Sequence, residues 1–226
     1  MQQEVKAYLL DIEGTVCPIS FVHKQLFPYF SSRLGHVIAT HFGTGDEIDA
    51  VLQQFPAVES ATVLQDYIAD LVARDVKDAT LKSLQGIVWA EGYSSGEIES
   101  PVYSDAIRLI KETRVPVYIY SSGSVAAQKQ MFGHVKEAGD LCPQLRGYFD
   151  IPSAGPKMEA SSYKKIVAEL GVEAKSVLFL SDNPRELHAA RAAGLATGLA
   201  LRPGNGPVSA ADQAEFTGYT DFSELK

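Results

Sequence analysis

The first six residues of clear pattern, Val5 to Leu10 (VKAYLL), are apolar or aromatic at every position but Lys6. An unbroken run of this length suits a strand buried on both faces of a parallel sheet. It stops at Asp11, and Asp11, Glu13, Gly14 and Thr15 follow within five residues. The spacing then changes. From Val16 to Ser100 the apolar positions recur every three or four residues, which predicts helices over 20–33, 46–54, 62–75 and 79–90. Pro28 should kink or restart the first of them, and Asp46 is placed to cap the second. Along the third, Val63, Tyr67, Ile68, Leu71 and Val72 fall on one face, and the flexible stretch from Gly92 to Gly96 breaks the pattern.

From Pro101 onward strand and helix alternate. Helices are expected over 101–114, 125–132, 159–170 and 184–193, the first opening on Pro101. Strands are expected over 115–120, 148–151, 176–180 and 196–201. Such alternation calls for a parallel sheet with helices on both faces, an α/β, Rossmann-like, doubly wound core. Residues 1–17 and 100–226 form that core, and residues 18–99 form an all-helical cap inserted after the first strand.

Composition narrows the possible partners. With 20 basic against 28 acidic residues the net charge is −8. No cluster of Lys and Arg exists to neutralise phosphates, which argues against nucleic acid or an anionic membrane surface. The two cysteines, Cys17 and Cys142, lie far apart without a paired motif, so a structural zinc site is not expected. Two free thiols in a reducing cytosol fit this usage better than a disulfide, which spacing alone leaves open. The N-terminal apolar run ends in acids and lacks a basic lead, unlike a signal peptide, and no stretch is long enough to span a membrane. A cytoplasmic monomer acting on a small molecule is the resulting expectation.

Three of the expected strands end in polar clusters: Asp11 with Glu13, Ser121 with Ser122, and Ser181 with Asp182. In a parallel sheet all carboxyl ends lie along one edge, where open α/β sheets bind their ligands. An acid at the end of a core strand needs compensation. One reading of Asp11 is a simple helix cap. The other pairs it with Asp182 around a divalent cation, for which hard oxygen ligands favour Mg²⁺. Ser121 and Ser122 precede a helix start and, with its free N–H groups, would hold a phosphate. Lys157, in the turn before another helix, is either a solvated surface cation or the positive charge that such a site requires. Glu186, a helical turn after Asp182, either holds Lys157 or faces solvent.

Taken in order, D-x-E-G-T, a strand followed by S-S-G-S, a lysine, and a strand followed by S-D-x-x-x-E resemble the haloacid dehalogenase superfamily of phosphohydrolases. More narrowly, the blocks LLDIEGT, PISFVHKQLFPY, LQGIVWAEGY, VYIYSSGS, AGPKMEASSYKKI, FLSDNPRE and LRPGNG resemble the enolase-phosphatase (acireductone synthase) family of methionine salvage. The common superfamily pattern has a second Asp where this chain has Glu13, a departure typical of that branch. The resemblance implies an aspartyl-phosphate on Asp11 and one Mg²⁺ held by Asp11, the Glu13 position and Asp182. In many relatives the second acid contributes its backbone carbonyl. Ser121, Ser122 and Lys157 would grip the phosphoryl oxygens, and Glu13 would act as acid and then base. The implied substrate is 2,3-diketo-5-methylthiopentyl 1-phosphate, which is enolised and then dephosphorylated. The insert would act as a lid, with Phe21, Trp89 and Tyr93 against the methylthio tail. Two other readings remain: a phosphatase of the same superfamily acting on a sugar or glycolate phosphate, and a non-catalytic phospho-ligand binder. The histidines His23, His36, His41, His134 and His188 show no metal-ligand spacing along the chain.

Overall fold

The computed structural model describes residues 4–56 and 59–225. Residues 1–3 and 226 of the expected core, and 57–58 of the expected insert, lie outside the described residues. The chain forms two compact units, one made by the chain up to Phe21 together with the chain from Glu99, the other by Val22–Ile98.

In chain order, β1 (Ala7–Leu10) is followed by a short stretch of wide, π-type helix at Val22–Leu26, then α1 (Phe27–His41), α2 (Glu47–Leu52), α3 (Ala61–Ala73) and α4 (Ala79–Ser94). After these come α5 (Ser104–Glu112), β2 (Val117–Tyr120), α6 (Val125–Gly133), β3 (Leu145–Phe149), α7 (Ile151–Ala154), α8 (Ala160–Leu170), β4 (Val177–Ser181), α9 (Pro184–Ala192), β5 (Ala196–Ala200), α10 (Ala210–Glu215) and β6 (Thr217–Tyr219). The six strands lie in the order β3-β2-β1-β4-β5-β6, and every pairing is parallel. β1 therefore sits inside the sheet, which is why its four residues are all buried.

Strand alternation divides the sheet into two faces. Ala7, Leu9, Tyr120, Phe149, Val177 and Phe179 pack with Tyr163 and Ile166 of α8 and with Leu187 and Ala190 of α9. Tyr8, Leu10, Val117, Ile119 and Leu180 point the other way and are equally buried. On that second face Phe132 of α6 meets Tyr148 of β3, with ring centroids 6.4 Å apart.

The helical unit has a core of its own, built from Phe30, Leu34 and Ile38 of α1, Leu52 of α2, Leu64 and Ile68 of α3, and Leu81, Leu84 and Val88 of α4. In α3 the buried stripe is Leu64, Ile68 and Leu71, one residue on from the expected start, and Val63 is 44% exposed. Gly92 does not end α4. It lies inside the helix, where a Cβ would come within 2.6 Å of Ile98 and 2.7 Å of Tyr29, so the glycine permits a close approach that a larger residue would block.

Other boundaries differ from expectation, the first helix among them: expected over 20–33, it runs as α1 from Phe27 to His41 with Pro28 in its first turn. α5 begins at Ser104, because the chain before it is held extended, with the Tyr103 N–H donating to the Val16 carbonyl at 2.9 Å. β3 starts three residues earlier than expected, at Leu145, and ends at Phe149, where Asp150 caps α7 in a reciprocal capping box with Ser153. α10 and β6 follow a loop that carries no strong hydrophobic period, and β6 is 3 residues long, too short for alternation to register.

Asp46 caps α2 by accepting the Asp49 N–H at 2.8 Å, and His41 meets the same carboxylate at 2.7 Å. The His41 hydrogen bond first, and the cap second, hold the Asp46 carboxyl at about 2, below its ordinary 3.8. A carboxyl lowered on folding contributes stability above its ordinary value and loses that contribution as pH falls through the folded value. Asp46→Asn keeps a capping oxygen without the charge. The melting-temperature gap between wild type and this variant, present near about pH 5, should close by about pH 2; a gap unchanged by acid would contradict the assignment.

Candidate active site

The sheet order places β2, β1 and β4 side by side, so the three polar strand ends are neighbours. Asp11, Glu13, Ser121, Ser122, Lys157, Asp182 and Glu186 all line one cavity of about 540 Å³ at that edge. Residues far apart in sequence, Asp11 and Glu186 among them, meet because parallel strands present the same end to the same rim.

Lys157 is the centre of the arrangement. Its Nζ lies 2.5 Å from Asp11 Oδ1 and 2.6 Å from Glu186 Oε2, and the side chain is 8% exposed. Burial alone would lower the ammonium's pKa, but the two carboxylates outweigh it and hold the group above its ordinary value, fully charged. The turn that carries Lys157 is fixed through its carbonyls. Tyr120 OH donates to Gly155 O at 2.7 Å, Ser162 Oγ to Pro156 O at 2.7 Å, and Tyr163 OH to Lys157 O at 2.8 Å. Of the two readings open for Glu186, the structure selects the buried one: it is 7% exposed and accepts from Ser181 Oγ at 2.9 Å as well as from Lys157. Burial, then the Asp11 charge, push its carboxyl upward against the pull of Lys157.

Asp11 and Asp182 are linked through Thr15. The Thr15 hydroxyl accepts the Asp182 N–H at 3.0 Å and lies 3.5 Å from Asp11 Oδ2, as does the Ser181 hydroxyl. Gly14 closes the turn at φ +69°, and a Cβ there would fall 2.4 Å from Asp182 Oδ2. Any side chain at this position would therefore collide with the second acid and strain the backbone. Burial, then the charge of Asp11, push the Asp182 carboxyl up to about 7, with Lys157 opposing. These supporting groups went unread from sequence: Thr15 and Ser181 stood inside recognised polar clusters, but Tyr120, Ser162 and Tyr163 carried only core or helix-face signals.

Ser121 is buried and Ser122 exposed, both on the cavity wall. Of the amides at the start of α6, three are already taken. Gly123 N–H is taken by Ser121 Oγ, Val125 N–H by Asp150 Oδ2 and Ala127 N–H by Ser124 Oγ. A loop that caps its own helix satisfies its own donors first.

The donor set suits a hard divalent cation. Asp11, Glu13, Asp182 and Glu186 face one cavity with Lys157 as the ammonium among them, and Lys157 is already shared by Asp11 and Glu186. Asp182, raised by burial and then by the charge of Asp11, is a further carboxylate that a cation at this edge would hold in its charged form. The three carboxylates of Asp11, Glu13 and Asp182 do not all come within 4.8 Å of one another; among the described residues that proximity occurs at His188, Asp212 and Glu215. The latter trio, invisible in linear spacing, is an exposed ion-pair network in which Arg191 Nη1 holds Glu215 at 2.6 Å.

Other expectations resolve as follows. Cys17 is buried, Cys142 half-buried, and both are free thiols. Phe21 and Tyr93 are 5% and 3% exposed, and Trp89 gives its N–H to Leu26 O at 3.0 Å. Phe21, in the same unit as the cavity, does not line it and is spent on packing. No helix of the described residues is long and apolar enough to cross a membrane.

Comparison with known proteins agrees with the fold. Residues 5–194 match the model of the haloacid dehalogenase-like hydrolases. The enolase-phosphatase E1 of Zygosaccharomyces rouxii is 55% identical over 213 residues, covering 90% of this chain and 92% of that protein. The enolase-phosphatase E1 of Saccharomyces cerevisiae is 49% identical over the full length of both. The crystal structure of the UTR4 protein from Saccharomyces cerevisiae superposes with a TM-score of 0.89 at 48% identity, covering 98% of this chain and 100% of that one. The chain belongs to the haloacid dehalogenase-like hydrolases and, within them, to the family of the enolase-phosphatases E1.

Proposed function

We propose that this chain is a magnesium-dependent enolase-phosphatase that enolises 2,3-diketo-5-methylthiopentyl 1-phosphate and releases its phosphate, as the name of its 55% identical relative suggests. The observation that carries the reading is a buried carboxylate, Asp11, held 2.5 Å from the Lys157 ammonium in a cavity that Asp182, Glu13, Ser121 and Ser122 also line. Asp11, Asp182 and the Glu13 position would hold Mg²⁺, which when bound neutralises phosphoryl charge as a Lewis acid.

Asp11 attacks phosphorus while the bond from phosphorus to the C1 oxygen breaks, giving an aspartyl-phosphate. The leaving oxygen takes a proton from Glu13. Glu13, now a carboxylate, accepts a proton from the water that attacks the aspartyl-phosphate, and inorganic phosphate departs with Asp11 restored. Lys157 balances the charge on Asp11 before attack and on the phosphoryl oxygens as they rearrange, with Ser121 and Ser122 as further donors. In the earlier enolisation a proton leaves the carbon beside a carbonyl and one is delivered to that carbonyl oxygen. Glu13, one methylene longer than Asp, has the reach for this transfer too.

The apolar part of the cavity lining suits an apolar tail. Ile151 and Met158 line it together with Ile19 and Val208, although Met158 is 49% and Ile151 36% exposed, among the few large apolar side chains left so open. Apolar surface kept open beside a charged anchor is what a small phosphate ester with a hydrophobic end requires.

Phosphate release from the diketone phosphate should require Mg²⁺ and fall by more than about a thousandfold in Asp11→Asn. Release that proceeds equally without the cation, or survives the substitution, overturns the mechanism; faster release from a sugar phosphate reassigns the substrate. Glu13→Asp should slow enol formation, followed by absorbance, by about tenfold or more, and wild-type rates for both steps would remove Glu13 from proton transfer. Met158→Asn, which removes the apolar contact without adding charge, should raise KM by roughly tenfold, the worth of one buried methylthio-sized group, and an unchanged KM would move the tail elsewhere.

A further inference from the structure

The motif LRPGNG stands among the blocks that identify the family, yet none of the steps above uses it. Its two long polar residues both reach back to the turn that follows Asp11. Asn205 Nδ2 donates to Gly14 O at 2.8 Å and to Ala200 O at 3.3 Å. Arg202 Nε donates to Thr15 O at 2.9 Å, and its Nη1 to Thr220 O at 3.1 Å. Its Nη2 lies 2.7 Å from Asp105 Oδ2, an ion pair without hydrogen-bond alignment. The guanidinium lies 4.7 Å from the Tyr103 ring centroid and 4.2 Å from that of Phe222, and Arg202 is 7% exposed. Asp105 Oδ2 also accepts the Phe222 N–H at 2.7 Å, which ties the aromatic lid of the guanidinium to its counter-ion.

We propose that Arg202 and Asn205 are positioning residues that hold the Gly14 and Thr15 carbonyls and thereby set the spacing between Asp11 and Asp182. Neither lines the cavity. They act through the turn: with both carbonyls anchored, the Thr15 hydroxyl is presented to the Asp182 N–H at 3.0 Å on one side and to Asp11 at 3.5 Å on the other. The Gly14 backbone, against which Asp182 Oδ2 rests so closely that no Cβ fits, is kept at its positive φ by the Asn205 bond on its own carbonyl. A guanidinium suits this task because its planar fork serves several acceptors at once and stacks between rings, which an ammonium does not. The inference rests on the proposed role of the Asp11 and Asp182 pair.

The test uses the full-length protein with Asn205→Ala and Arg202→Lys, the lysine keeping a charge for Asp105. Four quantities are read: kcat and KM with the diketone phosphate, Mg²⁺ affinity of the protein alone by calorimetry, and melting temperature. For Asn205→Ala the expectation is a kcat lower by about ten- to a hundredfold, KM within about threefold, and Mg²⁺ binding weaker by about tenfold, with the melting temperature within a few degrees of wild type. Arg202→Lys should show the same split between kcat and KM. Unchanged kcat and Mg²⁺ affinity in both variants would overturn the proposal, as would losses that merely track a lowered melting temperature. If the wild type itself fails to turn over the diketone phosphate, the substrate reading has failed, and the Mg²⁺ arm still decides the positioning role.

Discussion

A buried ammonium between two buried carboxylates is the constraint from which the site takes its form. Lys157 has almost no contact with solvent and survives there as a cation because Asp11 and Glu186 lie within 2.5 and 2.6 Å. An isolated charge at that depth would cost several kcal/mol, and removing one partner of such a pair typically costs about 3–5 kcal/mol because the other is left uncompensated. Asp11 is thus both a stabilising partner and the proposed nucleophile. The hydroxyls of Tyr120, Ser162 and Tyr163, each spent on a successive carbonyl of the lysine's turn, make sense as the means of delivering the ammonium to a fixed point.

Around that contact the electrostatics are unbalanced in one direction. Four acids share the cavity with Lys157, on a chain whose net charge is −8. A phosphate ester brought into such a field adds further negative charge, and the serines contribute only neutral donors. Burial first, and then the charge of Asp11, push the Asp182 carboxyl up to about 7. On the proposed reading, a cation at this edge would offset that charge, so cation and ester binding are expected to favour one another.

Much of this was readable from residue order because strand-end chemistry depends on topology more than on detail. Once β1, β2 and β4 are parallel, Asp11, Ser121 and Asp182 must share an edge, whatever the exact register. The elements misjudged were those in which a tertiary contact overruled a local cue. Gly92 looks like a break, yet Tyr29 and Ile98 need the space it leaves. Val63 fits the apolar period of α3, yet Leu64 takes the buried place. Amides at the start of α6 look free until Asp150, 25 residues later, accepts one of them. The hydroxyls behind Lys157 had no linear signature, since a tyrosine in a strand and a tyrosine on an apolar helix face both read as core.

The segment after β6 is easily taken for a dispensable tail. Phe222 nevertheless covers the Arg202 guanidinium, its N–H occupies Asp105, and the Thr220 carbonyl accepts a second guanidinium N–H. Proteolytic trimming upstream of Thr220 would strip one ring and one acceptor from the buried arginine that holds the turn after β1. Damage at the carboxyl terminus would then register first at the opening turn of the chain, the opposite extreme of its length.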